Sequence, residues 1–99
     1  MNKATLFIFS LMLYGCVGPA PIGDYNLTRT ALDYAREKGA PQTAPGFWAK
    51  AEELYSAAVA DYENKEYDSA KLKFIEAKKM AEKAENYTVL KKAEAGDAE

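Results

Sequence analysis

Cys16 is the one cysteine of a 99-residue chain that has no histidine. A single thiol cannot form a disulfide within the chain, so a disulfide framework is excluded. The absence of histidine excludes His-based and Cys-His nucleophilic triads. An ordinary transition-metal site needs a cluster of such ligands, so neither a metal nor another cofactor is expected. The chemistry open to Cys16 therefore depends on the residues around it.

The residues before Cys16 have the layout of an export signal. Lys3 is the only charged side chain before Asp24, and residues 4–14 form an uncharged, largely apolar run. About eleven such residues suit the core of a signal peptide, whereas a helix that crosses a bilayer needs about 20. We therefore predict a signal peptide over residues 1–15.

Leu13-Tyr14-Gly15-Cys16 resembles the lipobox of bacterial lipoproteins, in which a branched apolar residue and two mostly small residues precede the cysteine. Tyr14 departs from the pattern, because a smaller residue is usual there. The resemblance implies diacylglyceryl transfer to the Cys16 sulfur, cleavage between Gly15 and Cys16, and acylation of the new amino terminus. Val17, which is not aspartate, implies sorting to the outer membrane. An ordinary signal peptide with an incidental cysteine, and a retained anchor, are the alternatives.

Residues 16–23 are predicted to be the lipidated cysteine and a tether. Residues 17–23 contain two prolines and two glycines, a composition that does not sustain a helix. Fully extended, they reach at most about 25 Å. The folded part would therefore stay near the lipid headgroups.

The charged residues do not point to an enzyme or to a nucleic-acid-binding protein. The formal charge is -2 for the whole chain, and residues 16–99 keep 12 basic and 15 acidic side chains, whereas nucleic-acid binding needs a clustered basic excess. Neighbouring carboxylates can do acid-base chemistry, but here lysines are interspersed with them, which is typical of a solvated helix face. Five lysines between residues 71 and 83 are interpreted as a solubilising face, with anionic lipid or peptidoglycan contact as the alternative.

The remaining chain, residues 24–92, is predicted to be all-α with three helices. Alanine is abundant and no alternating β-branched run occurs. We expect helices over residues 26–38, 47–63 and 68–92, a connector over 40–46 and a disordered tail over 93–99. Asp24 or Asn26 would cap the first helix, and Gly39 would end it in a left-handed conformation. Asn64 would make the same kind of cap in the turn between the second and third helices.

The spacing of apolar residues predicts which helix faces are buried. In the first helix the face is Leu27, Ala31 and Tyr34, with Ala35 beside them. In the second, Trp48, Ala51, Tyr55, Ala58 and Tyr62 follow at intervals of three and four. The third helix carries a similar series, formed by Tyr67, Ala70, Phe74, Ala77, Ala81 and Ala84. A turn of three or four residues makes the second and third helices antiparallel neighbours.

The segment Tyr67-Asp68-Ser69-Ala70, with Phe74 and Ala77, resembles the second helix of a tetratricopeptide repeat, and Leu54, Ala57 and Ala58 match its first helix. The resemblance implies an antiparallel hairpin with an additional N-terminal helix. The usual glycine of the turn is missing, and Glu82 stands where a proline usually closes the repeat.

A longer stretch, residues 27–86, is similar to a family of short bacterial envelope lipoproteins with a helical domain of unknown function. The matching features are the Ala-rich helices, the Ala-Pro connector, Trp48-Ala-Lys-Ala-Glu and the Tyr-Asp-x-Ala turn. The family implies a tethered, periplasm-facing domain without catalytic residues. We expect an interaction or scaffold module, with a structural envelope spacer or a peptidoglycan-associated lipoprotein as the alternative.

The aromatic residues allow two interpretations. They are either core residues or an interaction surface for a protein partner or a second copy, because a stripe of this size exceeds what one short helix covers. The residues concerned are Trp48, Tyr55, Tyr62, Tyr67 and Phe74.

Overall fold

The computed structural model describes residues 18–96, and this range contains helices and no strand. Its elements are α1 (Ile22–Lys38), α2 (Ala40–Thr43), α3 (Pro45–Glu63) and α4 (Tyr67–Glu94). The all-α prediction is therefore confirmed, with three long helices and one single-turn helix.

The two other long helices pack on α4, which is the longest. The start of α1 contacts the first part of α4, where Thr28 meets Phe74, and its end contacts the last part, where the Lys92 ammonium donates to the Lys38 carbonyl. α1 and α4 therefore run parallel. α3 runs antiparallel to both, since Trp48 clusters with Ala84 and the later Ala58 clusters with the earlier Phe74. α1 thus supplies a packing partner, within the same chain, for the hairpin formed by α3 and α4.

The core follows one stripe of α4 and is built mostly from small side chains. Its buried residues recur every three or four positions, as one helix face requires. Alanine at most of these positions allows neighbouring helices to approach closely. Phe74 is the largest fully buried side chain of the described range. The predicted series from Ala70 to Ala84 is confirmed, and the buried set is Ala70, Phe74, Ala77, Ala81, Ala84 and Thr88.

The face predicted for α1 is wrong by one residue, although Ala35, predicted beside that face, is buried and Ala31 packs against the core. Leu27 and Tyr34 are each 55% exposed, and the face that packs on α4 is Thr28, Leu32 and Ala35. A rotation of about 100° separates the two faces. The buried face tolerates a threonine because the Thr28 hydroxyl lies 2.8 Å from the carbonyl oxygens of both Asp24 and Phe74, so it always has an acceptor.

Replacing Thr28 by valine is expected to lower the free energy of unfolding by about 1 kcal/mol, because an isosteric methyl group takes the place of a buried donor. Thr30→Val is the matched control: Thr30 also donates to the carbonyl four residues earlier, but it is exposed. Its expected effect is within about 0.5 kcal/mol. Urea denaturation of both variants checks this, and equal losses would contradict a special role for the α1–α4 hydrogen bond.

Only the N-terminal end of α1 differs from the prediction. The helix begins at Ile22 after Pro21 and has no side-chain cap, so neither Asp24 nor Asn26 caps it. The predicted tether is consequently shorter, since helix replaces coil at residues 22–23. Gly39 has φ 95° and ends the helix as predicted, because a left-handed residue is least strained as glycine.

The predicted connector is largely helical. α2 occupies Ala40–Thr43, and α3 begins at Pro45, where a missing amide hydrogen breaks no hydrogen bond. In the next turn Lys65, with φ 62°, takes the left-handed conformation that was predicted for Asn64. α4 reaches Glu94, so the first two residues of the predicted disordered tail are helical.

Candidate functional site

An aromatic cluster joins α1 to the α3–α4 hairpin. Tyr25 lies at its centre, with ring centroids 5.2 Å from Phe74, 5.5 Å from Tyr62 and 6.1 Å from Tyr55. Tyr67 extends the cluster, 5.7 Å from Tyr62. These tilted and edge-on arrangements are the favourable geometries for aromatic pairs. The cluster closes the end of the bundle at which α1 begins.

The structure divides the five predicted surface aromatics between the core and the surface. Phe74 has no exposed surface and Trp48 is 8% exposed, so both contribute to packing. Tyr55, Tyr62 and Tyr67 are half-buried.

Trp48 lies in a different core group from Phe74, although Tyr55 packs against both groups. Trp48 clusters with Ala51 and Ala81, and the Arg36 guanidinium lies 5.2 Å from the centre of its ring. Because Trp48 and Phe74 are both buried, the five residues do not form one continuous surface.

Tyr25 was not predicted as a site residue, although a signal was present. Tyr25, Thr28, Leu32 and Ala35 follow at intervals of three, four and three, which is the periodicity of one helix face. Once a threonine is allowed at a buried position of this helix face, Tyr25 becomes the first residue of the series.

The phenols of the cluster are arranged for packing. Burial, and then a hydrogen bond with Tyr25, raise the pKa of Tyr55 to about 12. A phenol with so high a pKa stays protonated near neutral pH, so Tyr55 is a poor general base there.

A polar network ties α3 to α4 beside the cluster. The Lys73 ammonium lies 2.7 Å from an Asp61 carboxylate oxygen, and the Ser69 hydroxyl donates to the same oxygen at 2.6 Å. The hydrogen bonds from Lys73 and Ser69 hold the pKa of Asp61 below its ordinary value of 3.8. Asp61 is thus kept charged by two partners on α4, which suits a structural contact.

The lysines of α4 largely pair with carboxylates. Besides Lys73, Lys78 lies 3.9 Å from Glu82 and Lys79 lies 3.4 Å from Glu76, in exposed pairs. Such spacing at i,i+3 and i,i+4 is usual on solvated helices. It supports the interpretation of this face as a solubilising one.

An open apolar cleft of about 560 Å³ lies between the start of α3 and the middle of α4. The Phe47 and Tyr87 rings form one wall, with centroids 6.2 Å apart in an edge-on arrangement. Each of the two residues is 40% exposed. Met80 and Lys50 complete the lining together with the residues of the α2–α3 link. The spacing of these residues in the sequence did not predict the cleft.

Residues 18–96 contain no group of three or more potential metal ligands. No helix in this range combines the length and apolar character needed to cross a bilayer. Gly15 and Cys16, the predicted cleavage and lipidation residues, lie outside the described residues.

Comparisons with protein-family models, with curated proteins and with solved structures give no match.

Proposed function

We propose that this chain is a lipid-anchored lipoprotein of the bacterial outer membrane, facing the periplasm. Its helical domain is a non-enzymatic interaction or scaffold module. The observation that carries the proposal is Leu13-Tyr14-Gly15-Cys16 at the end of an apolar run that follows Lys3. This is the arrangement in which a lone cysteine acquires lipid and is retained at a membrane.

The position of α1 supports a short distance between anchor and domain. Only residues 17–21 separate Cys16 from the first residue of α1. Five residues span at most about 18 Å when fully extended. A lipid on Cys16 would therefore keep the aromatic cluster, at the start of α1, close to the headgroups.

The buried and exposed side chains of the helical domain support a role in binding rather than in catalysis. The buried polar side chains of the described range are two threonines, Thr28 and Thr88, and both hydroxyls donate to backbone carbonyls. Asp61 is paired with Lys73. By contrast, large apolar side chains are exposed on several faces, among them Leu72 at 67% and Leu90 at 63%. Exposed apolar side chains mark interaction sites only when they cluster, as Phe47 and Tyr87 do, with ring centroids 6.2 Å apart and each residue 40% exposed.

We also propose that the α3–α4 hairpin resembles a single tetratricopeptide repeat. Ala70, Phe74 and Ala77, which carry the sequence resemblance, are all buried, as is Ala58 on α3. α4 continues well beyond the length of one repeat helix, which agrees with Glu82 standing where the closing proline would be.

Cross-linking in intact bacterial cells tests the scaffold proposal against the spacer alternative. The full chain is expected to form protein cross-links and to stay in the supernatant when it is mixed with purified peptidoglycan sacculi. Lys71→Glu controls for charge, because the exposed Lys71 is not needed for packing. The peptidoglycan-associated alternative would be favoured by a different result. In that case the chain sediments with the sacculi, Lys71→Glu weakens this sedimentation, and no protein cross-links form.

A further inference from the structure

A groove separates the first turns of α1 from the last turns of α3, both of which pack on α4. Its volume is about 370 Å³, within the range of sites for small ligands. The lining is apolar and aromatic except for one amide and one carboxylate. Its side chains are Ile22, Tyr25, Asn26, Val59, Tyr62 and Glu63.

Glu63 is a carboxylate whose charge no neighbour in the described range offsets. It is the last residue of α3, where the free carbonyl groups already make the helix end negative. The last turn of α3 contains no basic residue. Glu63 is exposed, and it forms no ion pair with another side chain of residues 18–96. A cation bound beside Glu63 would therefore complement both the carboxylate and the helix end.

The other lining side chains favour an ammonium group as this cation. Tyr25 and Tyr62 lie on opposite sides of the groove, with ring centroids 5.5 Å apart, and aromatic rings attract ammonium groups. A primary ammonium has three N–H donors, and the Glu63 carboxylate and the Asn26 amide oxygen are acceptors. The groove thus suits a primary ammonium better than an anion.

The short distance from Cys16 points to a membrane lipid as the source of the ammonium. Ile22 follows Cys16 by six residues, which is at most about 22 Å in an extended chain. The reach is shorter still, because the Ile22 amide donates to the Ala20 carbonyl at 2.9 Å and turns the chain there. A lipid on Cys16 would hold the groove at the level of the headgroups, so the inference rests on the proposed anchor.

The charges at this end of the bundle disfavour an anionic lipid. Besides Glu63, the first turns of α1 and α4 and the turn before α4 contain Asp24, Asp68 and Glu66, against one cation, Lys65. Like charges repel over about a Debye length, which is about 8–10 Å near physiological salt. A zwitterionic headgroup that ends in an ammonium group avoids this repulsion.

We propose that the groove binds the headgroup of phosphatidylethanolamine from the membrane that holds the anchor. The lipid ammonium lies beside the Glu63 carboxylate and the rings of Tyr25 and Tyr62. The exposed side chain of Ile22, at 58%, contacts the lipid next to the headgroup. The contact would hold the end of the bundle at which α1 begins against the bilayer surface.

Native mass spectrometry of the full chain released from lipid nanodiscs tests this binding. The nanodiscs contain equal amounts of phosphatidylethanolamine and phosphatidylglycerol with the same acyl chains, so only the headgroups differ. The unchanged protein is expected to retain phosphatidylethanolamine at least about fivefold over phosphatidylglycerol. Glu63→Gln is expected to reduce this preference to about twofold or less, because it removes the charge that the ammonium pairs with.

Matched variants separate binding from folding. Glu52→Gln removes another exposed glutamate of α3 that does not line the groove, and it should leave the preference unchanged. Tyr62→Phe keeps the ring and should keep the preference, whereas Tyr62→Leu should weaken it about threefold. Tyr62 also contacts Phe74, so Glu63→Gln, at an exposed position, decides the matter if Tyr62→Leu does not fold.

Three outcomes would overturn the proposal. Two of them are equal retention of the two lipids and a preference that Glu63→Gln leaves unchanged. The third uses phosphoethanolamine as a soluble probe: if it binds in a manner that depends on Glu63 while neither lipid is preferred, the groove is a site for a soluble amine. The mass of the Cys16 peptide from the same preparation separates this proposal from the anchor. If Cys16 carries lipid and no lipid preference is found, the groove proposal fails alone; if Cys16 carries none, both fail.

Discussion

Replacing Phe74 by alanine is expected to unfold most of the helical domain at 25 °C. Phe74 is fully buried, and its ring contacts those of Tyr25, Tyr55 and Tyr62 from two other helices. Truncation of a buried phenylalanine costs about 3–5 kcal/mol. A single core in a domain of roughly 70 residues contributes about 3–5 kcal/mol of net stability, so one substitution removes nearly all of it.

Circular dichroism during thermal unfolding measures this effect. Leu72→Ala is the matched control, since Leu72 lies two residues earlier on α4 and is 67% exposed. Its expected change is within about 0.5 kcal/mol. A Phe74→Ala protein that melts within a few degrees of the unchanged one would mean that the aromatic cluster does not hold the three helices together.

Replacing Cys16 by alanine is expected to remove all lipid from the chain. Each buried methylene of an acyl chain contributes about 0.8 kcal/mol, and two chains already give stable anchoring. Without the sulfur there is no acceptor for the diacylglyceryl group. Labelling of growing cells with a radioactive fatty acid measures the change, and the expected result is complete loss of lipid from the chain.

Tyr14→Ala is the control for the Cys16 substitution. It brings the motif closer to the lipobox pattern and leaves the acceptor sulfur in place, so the protein should keep its lipid. A Cys16→Ala protein that incorporates as much fatty acid as the Tyr14→Ala protein would contradict the lipid anchor.

Regular spacing of apolar residues predicted α3 and α4 well and α1 less well. In α4 the alanines and Phe74 leave only one face that can be buried. In α1 two large apolar residues, Leu27 and Tyr34, favoured a face that the structure leaves exposed. Which face of α1 is buried depends on the Phe74 carbonyl, which accepts a hydrogen bond from the Thr28 hydroxyl across 46 positions of sequence. Helical periodicity within one segment contains no information about such a contact.

The functional surfaces were harder to predict than the helices. The aromatic residues were recognised from their spacing, but whether a ring lies in the core or at the surface depends on what the other helices cover. Phe47 and Tyr87 are 40 positions apart, and they meet only because α3 and α4 are antiparallel. The cleft therefore follows from the tertiary arrangement, to which the unpredicted helix α2 also contributes.

The intact mass of the full chain, extracted from bacterial membranes, tests the central claim most directly. The predicted result is a chain that begins at Cys16, lacks residues 1–15 and carries a diacylglyceryl group and an amide-linked acyl chain on that cysteine. An unmodified mass that still includes Met1 would contradict the lipid anchor, and with it the placement of the helical domain at the periplasmic face of the outer membrane.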